Sequence, residues 1–323
     1  MALEGLLLID GTDAYTAYKA VVVMGGHNGL LKWPSLKAVE TNDWHEYDGI
    51  EADLSSPVLD SKEFSVDFYV FGKGSIGLTN LYALVAALRN GSYHAFNFAQ
   101  VGREAKLRAV SFGDPELYPN GIGVSITFAD DFPLNEYEYL APSSSEPGFY
   151  DYLIDETPFT DYGIRIIEGT LKSAINMADV KKNLLRNISI VPGAIYDDPA
   201  EDEEPDPNET LVKLSFRDLK LRCYLRAGDL TEFWQNYDAL LYDLTQPGAR
   251  VLTSRLTGRQ LSCYYQSCEI EEFLLNPGKV SLIFTITLKV IGDAENAAVL
   301  AEEANKDYIL AENGKMLEVE FSF

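Results

Sequence analysis

The sequence is poor in the residues that usually carry chemistry. Only three histidines and three cysteines occur in 323 residues. Cys223, Cys263 and Cys268 are odd in number and form no C-x-x-C pair. With that pattern, reduced thiols in a cytosolic protein are the expected reading. His27, His45 and His94 make no H-E-x-x-H motif, and Trp44-His45-Glu46-Tyr47-Asp48 is the nearest arrangement. Isolated surface or turn histidines are the simpler reading, so no metal site and no cofactor is expected. No G-x-S-x-G elbow and no Walker A loop is present, which leaves serine hydrolase and nucleotidase readings without a handle. No apolar run approaches the ~20 residues that a membrane span needs. Residues Met1–Asp10 lack a basic stretch ahead of their short apolar run, so no signal peptide is expected.

Positive charge is scarce too. Lys and Arg total 26 against 50 Asp and Glu, a formal net charge of −24. The imbalance is global: residues 1–150 carry 9 basic and 20 acidic side chains, and residues 151–323 carry 17 and 30. Such a chain lacks the cationic surface that phosphate-backbone binding requires, so no direct nucleic-acid binding is expected.

What is abundant is core material. Hydrophobic residues make up 46%, with 19 Tyr and 16 Phe, a globular composition able to bury a sizeable interior. That material is arranged twice. Ile9-Asp10-Gly11-Thr12 is echoed by Ile154-Asp155-Glu156-Thr157. The alternating run Phe64–Phe71 ends at Gly72, and its counterpart Leu219–Arg226 leads to Gly228, 156 residues later. Helical spacing follows each: Leu78, Leu81, Tyr82, Leu84, Val85 and Leu88 in one, Leu230, Phe233, Trp234, Tyr237, Leu240, Leu241 and Leu244 in the other. Gly102-Arg103 and Gly258-Arg259 then open matching turns, again 156 apart. Val124–Phe128 and Leu282–Leu288 close the two units as strands. Equal offsets and equal element order predict a tandem duplication.

The predicted architecture is mainly β, with two antiparallel sandwich or barrel domains, each carrying one packed helix. The first domain spans 1–140, a Pro/Ser-rich linker 141–148, and the second domain 149–292. Residues 293–323 are read as a helix followed by a hairpin around Asn313-Gly314.

Three features invite functional readings. Gly72-Lys73-Gly74-Ser75-Ile76-Gly77 fits G-x-G-x-x-G between a strand and a helix. No carboxylate follows at the ribose-binding distance and no βαβ alternation surrounds it, so a plain turn into a helix is expected. Glu51 and Asp53 alternate along one strand face, as a glycosidase pair or a solvated face would. The run 197–209, with Asp202, Glu203 and Glu204 at its centre, lacks the spacing of a calcium loop and reads as a solvated acidic loop. Trp33, Trp44 and Tyr47 bracket a loop in the first unit, and pattern alone leaves open whether they are core or an oligomer contact.

With the duplication laid out, the chain resembles phage tail-tube-fold proteins, namely distal tail proteins and the tube-like domains of baseplate hub proteins. The likeness rests on Tyr162–Glu168 as an opening strand and on the long loop reaching Leu211–Phe216. It continues through Leu219–Arg226, Asp229–Leu244 and the turn near Gly258, and in the first unit through Asn42-Asp43-Trp44 and Asp48–Leu54. The terminal hairpin has no place in that family pattern, and a distal tail protein would usually carry one such domain and a different C-terminal module. The resemblance implies side-by-side association of copies into a ring, a trimer or a hexamer, with other tail or baseplate proteins as partners. It also implies a structural role without turnover, in the cytoplasm before assembly and in the virion tail after it. Trp33, Trp44, Tyr47, Glu51 and Asp53 are then candidate assembly or loop contacts. The alternative is a β-sandwich hydrolase or carbohydrate-binding module, a monomer whose pocket joins Trp44, His45 and nearby carboxylates.

Overall fold

The structure, a computed structural model, describes residues 3–42, 51–145, 152–167, 188–192, 210–214, 217–255, 260–293, 307–310 and 316–319. Two large antiparallel sheets account for most of them.

The first sheet is built from β1 (Leu7–Ile9), β2 (Thr12–Asp13), β3 (Ala20–Val22), β6 (Lys62–Phe71), β7 (Tyr93–Phe98), β8 (Arg103–Phe112), β9 (Glu116–Tyr118) and β10 (Gly121–Asp130). A one-turn helix α1 (Ala14–Tyr18) joins β2 to β3, the short pair β4 (Thr41–Asn42) and β5 (Glu51–Ala52) lies in the β3–β6 connection, and α2 (Ser75–Leu88) follows β6. The second sheet uses β11 (Tyr152–Ile154), β12 (Thr157–Pro158), β13 (Ile164–Ile166), β16 (Arg217–Ala227), β17 (Arg250–Ser254), β18 (Gln260–Asn276) and β19 (Lys279–Asp293), with helix α3 (Leu230–Leu244) after β16. The ladders β14 (Ile188–Pro192) with β15 (Thr210–Leu214), and β20 (Asp307–Leu310) with β21 (Met316–Val319), stand apart as two-stranded pairs.

Strand order is the same in both sheets. The first runs β2-β1-β7-β8-β10-β6-β3 and the second β12-β11-β17-β18-β19-β16-β13. Taken in chain order, each strand of one sheet meets its counterpart in the other. The repeat that the sequence spacing predicts is thus present as topology.

Both sheets must be curled. Laid flat, seven strands at ~4.8 Å spacing would hold their edges about 29 Å apart. Yet the edge strands β2 and β3 are joined only by the five-residue α1 and Lys19, and a helix advances about 1.5 Å per residue. In the second sheet a 3-10 turn, Phe159–Tyr162, and Gly163 make the same short connection from β12 to β13. A span that short closes each sheet toward a barrel.

Alternation fills each barrel. On β6, Phe64, Val66, Phe68 and Val70 are buried, and Ile122, Val124, Ile126 and Phe128 face them from β10. Leu219, Leu221, Cys223, Leu225 and Ala227 on β16 do the same with Val280, Leu282, Phe284, Ile286 and Leu288 on β19. The helices add Leu81, Leu84 and Leu88 to one core and Phe233, Tyr237, Leu240 and Leu244 to the other. The three thiols are free and buried, and burial raises all three pKa values, that of Cys263 to about 12.

The copies diverge at one strand. β18 runs unbroken for 17 residues, whereas β8 and β9 are separated by Gly113-Asp114-Pro115. Pro115 has no N–H to give a ladder, which ends the pairing there.

The G-x-G-x-x-G segment is a tight turn from β6 into α2, in an antiparallel setting. Gly72 has φ +142° and Gly74 +53°, and a Cβ on Gly77 would lie 2.5 Å from the Gly72 carbonyl oxygen. Close approach of the chain to itself accounts for these glycines. The second sheet uses other means at this turn: Asp229 caps α3 by accepting from the Glu232 N–H at 2.8 Å, and Glu232 accepts from Gly228 N at 2.8 Å. No helix among the described residues is long and apolar enough to cross a membrane. The expected helix over 294–305 lies outside the described residues.

Candidate functional site

The most elaborated polar site lies where the two sheets meet, and it is built on α3. The stripe of α3 formed by Leu230, Trp234, Gln235, Asp238 and Tyr242 faces the first half of the chain. Trp234 donates its indole N–H to the Val101 carbonyl at 2.6 Å, in the β7–β8 turn. Arg103, which opens β8, grips Asp238 with both guanidinium nitrogens and lies 4.3 Å from the Trp234 ring centroid. The side chains of Tyr137 and Tyr139 pack on Tyr242.

Residues 141–145 run along the same helix. Gln235 donates to the Ala141 carbonyl at 2.7 Å, Asn236 accepts from Ser143 N at 2.8 Å, and Glu232 accepts from Ser145 N at 2.7 Å. The Ser-rich stretch is a strap held to α3, at least as far as residue 145.

A deeper contact comes from the 3-10 turn Asn28–Leu31 and the residues after it. Leu31 and Trp33 belong to the core of the second sheet, 1% and 3% exposed. Trp33 packs against Tyr237, Tyr265 and Phe284, with ring centroids 4.7, 5.9 and 5.6 Å away. Tyr237 and Tyr265 donate their hydroxyls to the carbonyls of Leu31 and Pro34, at 2.6 and 2.8 Å. Leu36 N donates to the Gln266 carbonyl at 2.9 Å. One half of the chain thus completes the interior of the other.

Beside this seam opens a cleft of about 410 Å³, lined by Lys62, Phe64, Tyr93, Arg103, Asp130 and Asp238 among others. Lys62 donates to the Leu30 carbonyl at 2.6 Å, and desolvation brings its pKa down to about 7. Burial also holds the Asp130 carboxyl above its usual range. The other cations lining it are matched with carboxylates, Arg103 with Asp238 and Lys106 with Glu136, and behind the lining residue Tyr93, Arg108 pairs with Asp131. Tyr93 donates to Asp131 at 2.5 Å, and the Arg108 bond first, then this one, lower the Asp131 pKa. A cleft whose charges are matched in this way suits a joint between two bodies.

The expected site residues fall apart in space. Of the two readings left open for Trp33, core or assembly contact, the structure places it in the core: its ring is 3% exposed and packs among aromatic side chains of α3 and the second sheet. Glu51 and Asp53 are both exposed, Glu51 on β5 and Asp53 just beyond it. Asp53 caps its own turn, accepting from Ser55 N and Ser55 Oγ at 3.0 and 2.7 Å, and these bonds lower its pKa. Trp44, Tyr47, His45, Asp202, Glu203 and Glu204 lie outside the described residues.

The expectation of surface histidines is corrected for His94. Its ring is buried between Asp10, 2.6 Å from Nδ1, and Asn90, 3.1 Å from Nε2. His27 is half-buried, meets Phe273 edge-on, and has its pKa lowered by desolvation. Among the described residues no group of three or more His, Cys, Asp or Glu is placed to hold a metal ion.

Sequence reasoning missed Lys62, Gln235, Asp238 and Tyr242 as seam residues, and it placed Arg103, Leu230 and Trp234 in a turn and a helix without their role at the seam. One signal was available. Gly102-Arg103 was legible as a repeated turn, and an Arg at a tight turn in so acidic a chain calls for a carboxylate partner.

Neither a scan against protein-family models nor a search of curated proteins finds a match. Among solved structures the chain aligns with the SPP1 Dit (gp 19.1) protein, described as a paradigm of the hub adsorption apparatus in phages infecting Gram-positive hosts. The alignment covers 88% of this chain and 97% of that one, at 11% identity and a TM-score of 0.29. At that score the likeness carries no argument on its own.

Proposed function

We propose that this protein is a structural subunit of a phage tail or baseplate, or of a related injection machine, that assembles side by side with copies of itself into a ring. The observation that carries this reading is the repeated strand order. A chain that presents two equivalent curled sheets has the ingredients of a rotational assembly, in which one kind of contact is made again and again around an axis. The contact between the two halves is already a specific interface, with buried aromatic anchors and a bidentate ion pair. Three chains would place six such sheets around one centre. A lumen lined by a protein of net charge −24 would repel DNA and let it pass.

In this role the chain performs no turnover, and the charges of the cleft serve the joint. Other tail or baseplate proteins would stack on the ring. Light scattering and negative-stain electron microscopy of the purified protein test the reading. Annular particles with two lobes per chain are expected. A strict monomer up to the highest soluble concentration, with no rings on the grid, overturns it.

A further inference from the structure

The two helices that follow the long first strands bury the same inward positions. At an offset of 156, Gly77, Leu81, Leu84 and Leu88 of α2 match Phe233, Tyr237, Leu240 and Leu244 of α3, and all eight are buried. Their outward positions are treated differently. On α3, Trp234 and Asp238 are buried as well, because the β7–β8 turn and Arg103 lie on them, and Ala239 is also buried. The matching residues on α2 are Leu78, Tyr82 and Ala83. Leu78 is half-buried, Ala83 is exposed, and Tyr82 is 66% exposed.

This face, left open by the described residues, has the chemistry of a contact surface. Helix α2, Ser75–Leu88, contains no charged residue in a chain where 24% of residues are charged. Ile76 is 63% exposed near its start, and Thr79, Ala83 and Ala86 continue the surface beside Tyr82. A soluble protein seldom leaves a helix face of this composition open unless something covers it. The small residues Ala83 and Ala86 would allow close approach, and Tyr82 would serve as an aromatic anchor.

We propose that the outer face of α2 is covered by the second half of another copy of this chain, as the first half of the same chain covers α3. The argument for that occupant is the internal repeat. Within one chain the first unit sits on the helix of the second. Applied again, that relation places the second unit of a neighbour on the helix of the first. The resulting contact is head-to-tail, and it closes when the accumulated rotation completes a circle. This inference rests on the self-association proposed above and adds the surface that mediates it.

Two substitutions test it. Tyr82→Glu combined with Ala83→Glu places charge in the middle of the face without touching the buried positions. The expected result is at least a tenfold weaker association in sedimentation velocity, with an unchanged far-UV spectrum and melting temperature. Tyr82→Cys provides a milder probe, since the three native cysteines are buried. A benzophenone attached at that thiol and photolysed in the assembled protein is expected to cross-link between chains to residues 217–293. Wild-type association that survives the double substitution, or cross-links confined to another copy's first half, overturns the assignment to α2 and leaves self-association standing. A monomeric wild type overturns both.

Discussion

Asp10 and Asp155 occupy the same station in the two sheets. Each begins a two-residue hairpin turn with positive φ at both positions, 50° and 75° at Asp10-Gly11 and 46° and 75° at Asp155-Glu156. Each exchanges hydrogen bonds with the strand alongside. Asp10 accepts from Ala95 N at 2.9 Å and donates its own N–H to the Ala95 carbonyl at 2.8 Å; Asp155 does the same with Val251, at 2.7 and 2.9 Å. Each second carboxylate oxygen meets a ring or guanidinium nitrogen, of His94 in one copy and Arg250 in the other. A carboxylate with the same duties twice is residue-level support for the duplication.

The two turns differ in their second residue, and this yields the first prediction. Gly11 adopts the left-handed conformation at little cost, whereas Glu156 adopts it against its Cβ. Glu156→Gly is expected to stabilise the protein by about 1 kcal/mol, and Gly11→Glu to destabilise it by a similar amount. Urea denaturation of the two variants checks both signs.

Trp33 carries the second. Its removal leaves a large hole in a core to which it does not belong by sequence. Trp33→Ala should cost about 3–5 kcal/mol. Because the lost contacts are with Tyr237, Tyr265 and Phe284, hydrogen-exchange protection should fall in α3 and β19 as well as near residue 33. Loss of protection confined to residues 28–36 would refute the shared core.

The Arg103–Asp238 pair is the third. Asp238 has only 10% side-chain exposure, and Arg103 bonds it with two nitrogens while stacking on Trp234. A double-mutant cycle with Arg103→Ala and Asp238→Ala is expected to return a coupling of about 1–3 kcal/mol. Arg103→Lys should keep the charge and lose most of the coupling, since an ammonium cannot make the forked contact.

Lys62 supplies a pH dependence. Its folded pKa is about 7 against the ordinary 10.5, with desolvation the main cause. Arg103 and Lys32 push it further down, while Asp130 and Asp238 oppose the shift. Between those two pH values the unfolded chain holds the proton that the folded protein has released, so the stability contribution of this group rises with pH. Lys62→Met is therefore expected to stabilise most below pH 7, with the gain shrinking toward pH 10. A gain that does not vary with pH would sink the argument.

Asp131 behaves in the opposite sense. Arg108 and Tyr93 hold its carboxyl below the ordinary 3.8. Its contribution is present above that value and is lost as the pH falls through the depressed one. Asp131→Asn should weaken the protein at neutral pH and bring it level with wild type in strong acid, as followed by denaturant unfolding.

What the sequence made legible was local. The alternation on β6 and β16, the helix stripes of α2 and α3, and the turn at Gly72 all follow from spacing, because period 2 and period 3.6 act over a few residues. The repeat emerged because those local patterns recur at one offset. The seam did not emerge. Leu31 and Tyr237 are 206 residues apart, and no periodicity links a carbonyl in one loop to a hydroxyl on a distant helix. Trp33 shows the same gap: a loop aromatic carries no mark of which core it will enter. The Ser-rich stretch read as a joint from composition, yet its fastening to α3 depends on Glu232, Gln235 and Asn236, whose helix positions gave no hint of a strap.

The insertion of Trp33 into the opposite sheet has a consequence for how the chain can be handled. Severed from its leading portion, the trailing barrel would lack an indole at its centre and present unfilled carbonyl-seeking hydroxyls on Tyr237 and Tyr265. The two barrels should therefore melt together as one cooperative body, and neither half expressed alone should reproduce its state in the whole.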